Sequence, residues 1–132
     1  MQREVWKDVP HYNGFYQVSN LGRVKSLKSG KEKIMKTHKD KNGYIKVGLT
    51  KWLKCKLFYV HQLVAICFLD FIPHRLKYID NPKKRIEYLR KKPNPNEYVV
   101  DHINFIRDDN RIENLRVITN QENLKHRKSN SL

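Results

Sequence analysis

Apolar and polar positions over residues 1–59 read as β-rich, alternating with a period of two after Asn42-Gly43, and the spacing then becomes helical. Tyr16 and Val18 lead into the turn-forming Ser19-Asn20-Leu21-Gly22, after which Arg23–Leu27 resumes with Val24 and Leu27 apolar. Asn42-Gly43 is the strongest short-range hairpin signal in the chain. Beyond it, Ile45, Val47 and Leu49 alternate with Tyr44, Lys46 and Gly48, the pattern of a half-buried strand, and Leu57, Phe58 and Tyr59 predict another. Val60, Leu63, Val64, Cys67 and Phe68 then share one helical face. That helix is expected to plug the gap between an N-terminal sheet and a C-terminal unit. Residues 70–97 read as a basic insertion, with Asn81-Pro82 placed to start a helix and Pro93 and Pro95 to stop it. From Tyr98 the pattern is strand, long polar loop, strand and helix. Tyr98, Val99 and Val100 form the first strand and Leu115, Val117 and Ile118 the second. Thr119 or Asn120 caps the helix, with Gln121 or Glu122 in its first turn.

These elements predict an α+β protein. An N-terminal antiparallel β-sheet module spans residues 1–59, a connecting helix and basic insertion residues 60–97, and a strand–loop–strand–helix unit residues 98–132. At 132 residues the chain is one domain or two very small ones.

Charge changes the picture from fold to partner. Twenty-eight Lys and Arg oppose thirteen Asp and Glu, a formal net charge of +15. Self-repulsion of that size favours a polyanionic partner, of which nucleic acid is the commonest. A twisted β-ribbon bearing Arg23, Lys25 and Lys46 on one face can enter a major groove, although a solvated sheet surface carries the same residues. Lys84 and Arg85 in the insertion are placed to contact phosphate. A membrane is not expected as a partner. The longest apolar run, near Val60–Phe68, is too short to span a bilayer, and the N-terminus lacks the apolar core of a signal peptide. Two cysteines, Cys55 and Cys67, have no zinc-ligand spacing, so both read as reduced thiols in an intracellular setting, with Cys67 in the core.

Residues 98–128 hold the chemistry. Asp101-His102 closes the first strand, Asn114 precedes the second, and Asn123 lies one turn into the helix. A strand-end carboxylate and an amide oxygen from a facing helix can share one hard cation, leaving coordination sites for water and for phosphate oxygens. A neighbouring histidine is suited to take a proton from an attacking water near neutral pH. Metal-assisted phosphodiester hydrolysis needs little more.

The string VDHINFIRDDNRIENLRVITNQEN, residues 100–123, resembles the HNH motif of the ββα-metal endonucleases, with His102, Asn114 and Asn123 in the matching order. The opening EVWKDVPHYNGFYQVSNLGRVKSLKSG, from Glu4 to Gly30, resembles the nuclease-associated modular domain that precedes HNH units in phage proteins, and VHQLVAICF fits the link between them. The nearest resemblance is to the phage homing endonucleases. It implies a ββα-metal unit at residues 98–132 in which His102 is the general base. Asp101 and Asn123 would bind one divalent metal, Mg²⁺ or Mn²⁺, and Asn114 would brace the loop that orients His102. It further implies double-stranded DNA as partner, with Arg111 and Arg116 joining the other cations as contacts, and a monomer that nicks one strand in the cytoplasm of a bacterial host. Three features depart from the family pattern. Asn123 stands where many members have histidine, with His126 in reserve three residues on. Asn104-Phe105-Ile106 replaces a glycine-containing turn, and the insertion at residues 70–97 is long. The competing expectation is a DNA-binding protein that keeps the scaffold without cleaving.

Overall fold

In the computed structural model, which describes residues 3–71 and 97–130, the stretches that read as β-rich form strands. β1 (Trp6–Asp8), β2 (Tyr16–Ser19), β3 (Val24–Ser26) and β4 (Lys33–Ile34) make a four-stranded antiparallel sheet in sequence order. β5 (His38–Lys39), β6 (Ile45–Lys51) and β7 (Lys54–Tyr59) make a second antiparallel sheet, in which β6 and β7 pair along the length of the hairpin. α1 (Val60–Phe68) follows without a break. β8 (Tyr98–His102) and β9 (Leu115–Thr119) pair antiparallel, with Asp101 opposite Arg116 and His102 opposite Leu115, and α2 (Asn120–Asn130) closes the described chain. The described residues are thus α+β. The predicted insertion, including Lys84 and Arg85, lies almost wholly outside them.

The core sits where α1 meets all three sheets. Val60, Leu63 and Val64, at the spacing the sequence predicts, are almost fully buried against β2, β6 and β7 on one side and against β8 and β9 on the other. Burying each such side chain stabilises the fold by roughly 1.5–3 kcal/mol, so this one helix face joins the N-terminal sheets to the C-terminal unit. Val18, Val24, Val47 and Leu49 belong to the same cluster, with Val9, Tyr12, Tyr16, Phe58 and Leu115 around them. Cys67 packs against its edge, and burial pushes its thiol up to about 11, while Cys55 is exposed. At α2, Thr119 and Glu122 form a capping box: the Glu122 amide donates to Thr119 Oγ1 at 3.2 Å, and Thr119 Oγ1 donates to Glu122 Oε1 at 2.9 Å.

One turn reaches across the molecule. Ser19 Oγ accepts from the amides of Leu21 and Arg23, and Gly22 takes φ +88°. Asn20 Oδ1 accepts from the Val5 amide at 2.8 Å and its Nδ2 donates to the Arg3 carbonyl. On the far side, the Asn20 carbonyl accepts from the Ile112 amide at 2.8 Å. The turn between β2 and β3 is therefore anchored both to the N-terminal strand and to the loop joining β8 to β9.

Candidate active site

The β8–β9 hairpin brings Asp101 and His102 to its loop end, both buried, and α2 packs across the pair. Asp101, His102 and Asn123 open on one cavity of about 240 Å³, which Tyr44, Arg107 and Arg127 also line. At ~30 Å³ of liquid per water molecule, that space holds several waters or a phosphate group with fewer.

Each side chain is held. His102 Nε2 lies 2.8 Å from Asn110 Oδ1 in a buried contact. An amide oxygen only accepts, so Nε2 carries the proton and Nδ1 is the basic nitrogen of the ring. Asp101 Oδ2 accepts from Arg116 Nε at 2.9 Å, an ion pair in which the carboxylate is the buried partner. His126 Nε2 lies 3.5 Å from the same oxygen, is buried, and makes no hydrogen bond, while its ring stacks on Phe105 at 4.1 Å. Phe105 takes φ +65°, a backbone conformation that favours glycine, so an aromatic ring stands at a position whose backbone a glycine would suit.

Asn114 is buried and ties the loop to itself. Its Oδ1 accepts from the Asn104 amide at 3.0 Å, its Nδ2 donates to the Asp109 carbonyl at 2.9 Å, and its own carbonyl accepts from Ile103. Arg111 forks onto both Asp109 oxygens at 2.8 and 2.9 Å; that hydrogen-bonded pairing holds the Asp109 carboxyl down at about 2. The β5–β6 hairpin contributes a second wall. Arg107 donates to the Asn42 carbonyl at 2.6 Å and covers the Tyr44 ring at 4.8 Å, and Lys39 pairs with Asp108 at 3.0 Å.

Sequence reasoning left four contributors unassigned. Asn110 looks like one more turn-forming asparagine, yet it is the side chain that touches His102. Gly22 is packed so tightly on it that a Cβ would lie 2.9 Å from Asn110 Cβ. Tyr44 sits just beyond the hairpin turn and lines the cavity. His61 meets the His102 ring edge-on at 5.0 Å and also contacts the rings of Tyr44 and Tyr59. Burial first, then the nearby His102, lowers its pKa to about 3, so it is neutral at ordinary pH. None of the four had a local signal that set it apart, because burial and long-range contact are not legible from spacing.

The cations expected to meet DNA are differently placed. Arg23 pairs with Glu4 and lies over Trp6. Lys25 is buried, 3.3 Å from Glu32 and over the same Trp6 ring, so β3 does not present it as an open cation. Arg111 and Arg116 are held by Asp109 and Asp101. Lys46 lies over Tyr59.

A divalent cation is compatible with this arrangement on donor chemistry. A buried, ion-paired carboxylate and an amide side chain open on the same cavity, and both supply the oxygen that hard cations prefer. Among the described residues, no cluster of three or more His, Cys, Asp or Glu side chains offers a different centre.

Comparison with known proteins places this chain beside the following relatives. A NUMOD4 motif matches residues 4–50 and an HNH endonuclease family matches residues 83–125. The chain is 38% identical over 124 residues to DNA endonuclease I-HmuI of Bacillus phage SP01, covering 94% of this chain and 58% of that protein. It is 33% identical over 132 residues to an uncharacterized HNH endonuclease of Acanthamoeba polyphaga mimivirus, covering 27% of that protein. A solved structure described as DNA binding and cleavage by the HNH homing endonuclease I-HmuI superposes with a TM-score of 0.70 at 36% identity, over 96% of this chain and 59% of that one. The chain thus spans about three fifths of the phage relative and about a quarter of the mimivirus one.

Proposed function

The chain is a homologue of the phage HNH homing endonucleases, with a NUMOD4 unit ahead of an HNH unit, and on that premise we propose that it is a metal-dependent endonuclease that hydrolyses phosphodiester bonds of double-stranded DNA. The observation that carries the reading is the convergence of Asp101, His102 and Asn123 on one cavity flanked by Arg107 and Arg127.

His102 is the general base. With Nε2–H donated to Asn110, Nδ1 accepts the proton of the attacking water, and the hydrogen bond holds the ring against rotation. Asp101 and Asn123 hold one divalent cation, Mg²⁺ or Mn²⁺, which when bound supplies charge stabilisation at the phosphate and at the leaving oxygen. Arg116 orients the Asp101 carboxylate through the hydrogen bond from its Nε. Asn114 acts at one remove, by fixing the loop that carries Asn110. Arg107 and Arg127 add positive charge where phosphate enters. Lys46 remains a candidate DNA contact, while Arg23, Lys25, Arg111 and Arg116 must exchange intramolecular partners to reach a phosphate. Lys84 and Arg85 belong to the same proposed DNA-binding set but lie outside the described residues.

The three units are residues 1–59 as a DNA-binding module, residues 60–97 as a link and residues 98–132 as the nuclease. As a monomer with one site, acting inside the cell that holds its target, the enzyme nicks one strand. Among the described residues no helix is long and apolar enough to cross a membrane. The test is supercoiled plasmid incubated with Mg²⁺ or Mn²⁺, with and without EDTA, beside His102→Ala. Nicked circles that require the metal and vanish in the variant are expected. Cleavage that survives His102→Ala would overturn the assignment of the base, and duplex binding without cleavage would favour a DNA-binding protein on the same scaffold.

A further inference from the structure

The β6–β7 hairpin ends in the two most exposed large apolar side chains among the described residues, Trp52 at 81% and Leu53 at 100%. Lys51 pairs with Lys54, so Trp52 and Leu53 are the whole turn, and they take φ +53° and +63°. A two-residue turn with both residues at positive φ is the type I′ hairpin turn, which selects Asn-Gly or Asp-Gly because a Cβ crowds the backbone there, a cost that glycine escapes and Asn or Asp offset by local hydrogen bonds. The other turn of the same sheet obeys that rule in part, with Gly43 at φ +90°. At the tip the chain therefore combines two unfavourable choices, bulky residues in a left-handed backbone and apolar side chains in water, and no core contact offsets either. Strain held in an exposed position of this kind points to a partner.

Charge and position say which partner. From Lys41 to Leu69 the sequence contains no acidic residue, and Lys46, Lys51, Lys54 and Lys56 lie along the hairpin. The near end of β6 is rooted in the candidate active site, where Tyr44 lines the cavity. Seven residues of extended strand then carry the tip about 23 Å away, which corresponds to roughly seven base pairs of duplex. We propose that Trp52 and Leu53 are a wedge that inserts at a base step of the bound duplex about seven base pairs from the phosphate being cut, with the flanking lysines on the adjacent phosphates. Apolar wedges of this type partly unstack a step and kink the duplex, and aromatic rings stack on bases of any sequence. The inference rests on the nuclease reading only in that it needs duplex DNA in the site.

The experiment replaces the turn by its preferred residues, Trp52→Asn with Leu53→Gly, and measures binding of a labelled 40-base-pair duplex in EDTA, where nothing is cut. The variant relieves the backbone, so its urea midpoint should stay level or rise, while duplex affinity falls about ten-fold or more and the salt dependence, set by the untouched lysines, is kept. In a Trp6→Phe background, Trp52 emission should be quenched by the duplex, and 2-aminopurine placed near the seventh base pair should brighten. Equal affinity of variant and parent would overturn the wedge, even if the parent cleaves plasmid normally. Unchanged duplex affinity with lost binding to anionic vesicles would overturn it in favour of a lipid surface. A parent that binds no duplex would sink the wedge and the nuclease reading together, and the plasmid assay separates that case from failure of the wedge alone.

Discussion

Gly22→Ala tests whether the N-terminal module helps to aim the catalytic histidine. The residue sits at φ +88°, where an added Cβ costs about 1–2 kcal/mol through the backbone alone. The same Cβ would lie 2.9 Å from Asn110 Cβ and 3.1 Å from the Asn110 carbonyl. Carbon atoms at rest are ~3.5–4.0 Å apart, so relieving the overlap displaces Asn110 by roughly half to one ångström. The Asn110–His102 hydrogen bond starts at 2.8 Å, and such a shift along it stretches the contact to about 3.3–3.8 Å, where it is weak or lost. The ring loses its orienting acceptor, and a misplacement of that order lowers catalytic rates on the order of a hundred-fold. The expected result is a loss of about 2–3 kcal/mol in urea unfolding, still folded at 25 °C, with single-turnover nicking down roughly 10–100-fold and duplex affinity in EDTA changed less than about two-fold. Asn110→Ala should give a similar rate loss without the backbone strain, and the double variant should be little worse than either, because both act through one hydrogen bond. A Gly22→Ala protein that is folded and nicks at the parental rate would refute the reasoning, as would a rate loss accounted for by the unfolded fraction.

Other consequences are open to direct measurement. His61 is held neutral with its pKa near 3, whereas an exposed histidine titrates near 6.5, so the unfolded chain gains a proton first. Its contribution is intact above pH 6.5 and declines as pH falls toward 3, by up to ~1.4 kcal/mol per pH unit. Between pH 7 and 5 the parent should lose up to about 2 kcal/mol and His61→Phe much less, a difference that urea midpoints at the two pH values would expose. Asn123→Ala should raise the Mn²⁺ concentration for half-maximal nicking at least about ten-fold, with Asn123→Asp near the parent. A His126→Ala protein equally impaired in that titration would shift the ligand assignment. Asn114→Ala removes the side-chain partner of the Asn104 amide and the Asp109 carbonyl, both in partly buried contacts, and thermal or urea unfolding should register a loss of roughly 1–2 kcal/mol.

What the sequence determined by itself was set by local geometry. Period-two spacing placed β6, apolar stretches beside turn signals placed β2, β8 and β9, and the Val60, Leu63, Val64 face placed α1, because strand and helix repeats translate directly into which side chains share a surface. Asp101 and His102 are chain neighbours at a strand end, and Asn123 lies one turn into the following helix, so their meeting at one cavity was within reach of spacing alone. Tertiary structure decided the partners. Asn110 differs from the other asparagines of its loop only in being pressed between Gly22 and His102, and Gly22 comes from a turn almost ninety residues earlier. His61 became part of the site because α1 packs against β8 from the far side of the core. The same long-range packing matched Arg23 with Glu4 and buried Lys25 beside Trp6, so cations that looked alike in sequence are not equally available. Positive φ at Trp52 and Leu53 runs against local preference altogether. Their conformation follows from the β6–β7 register, in which Lys51 faces Lys54 and only two residues are left to turn the chain.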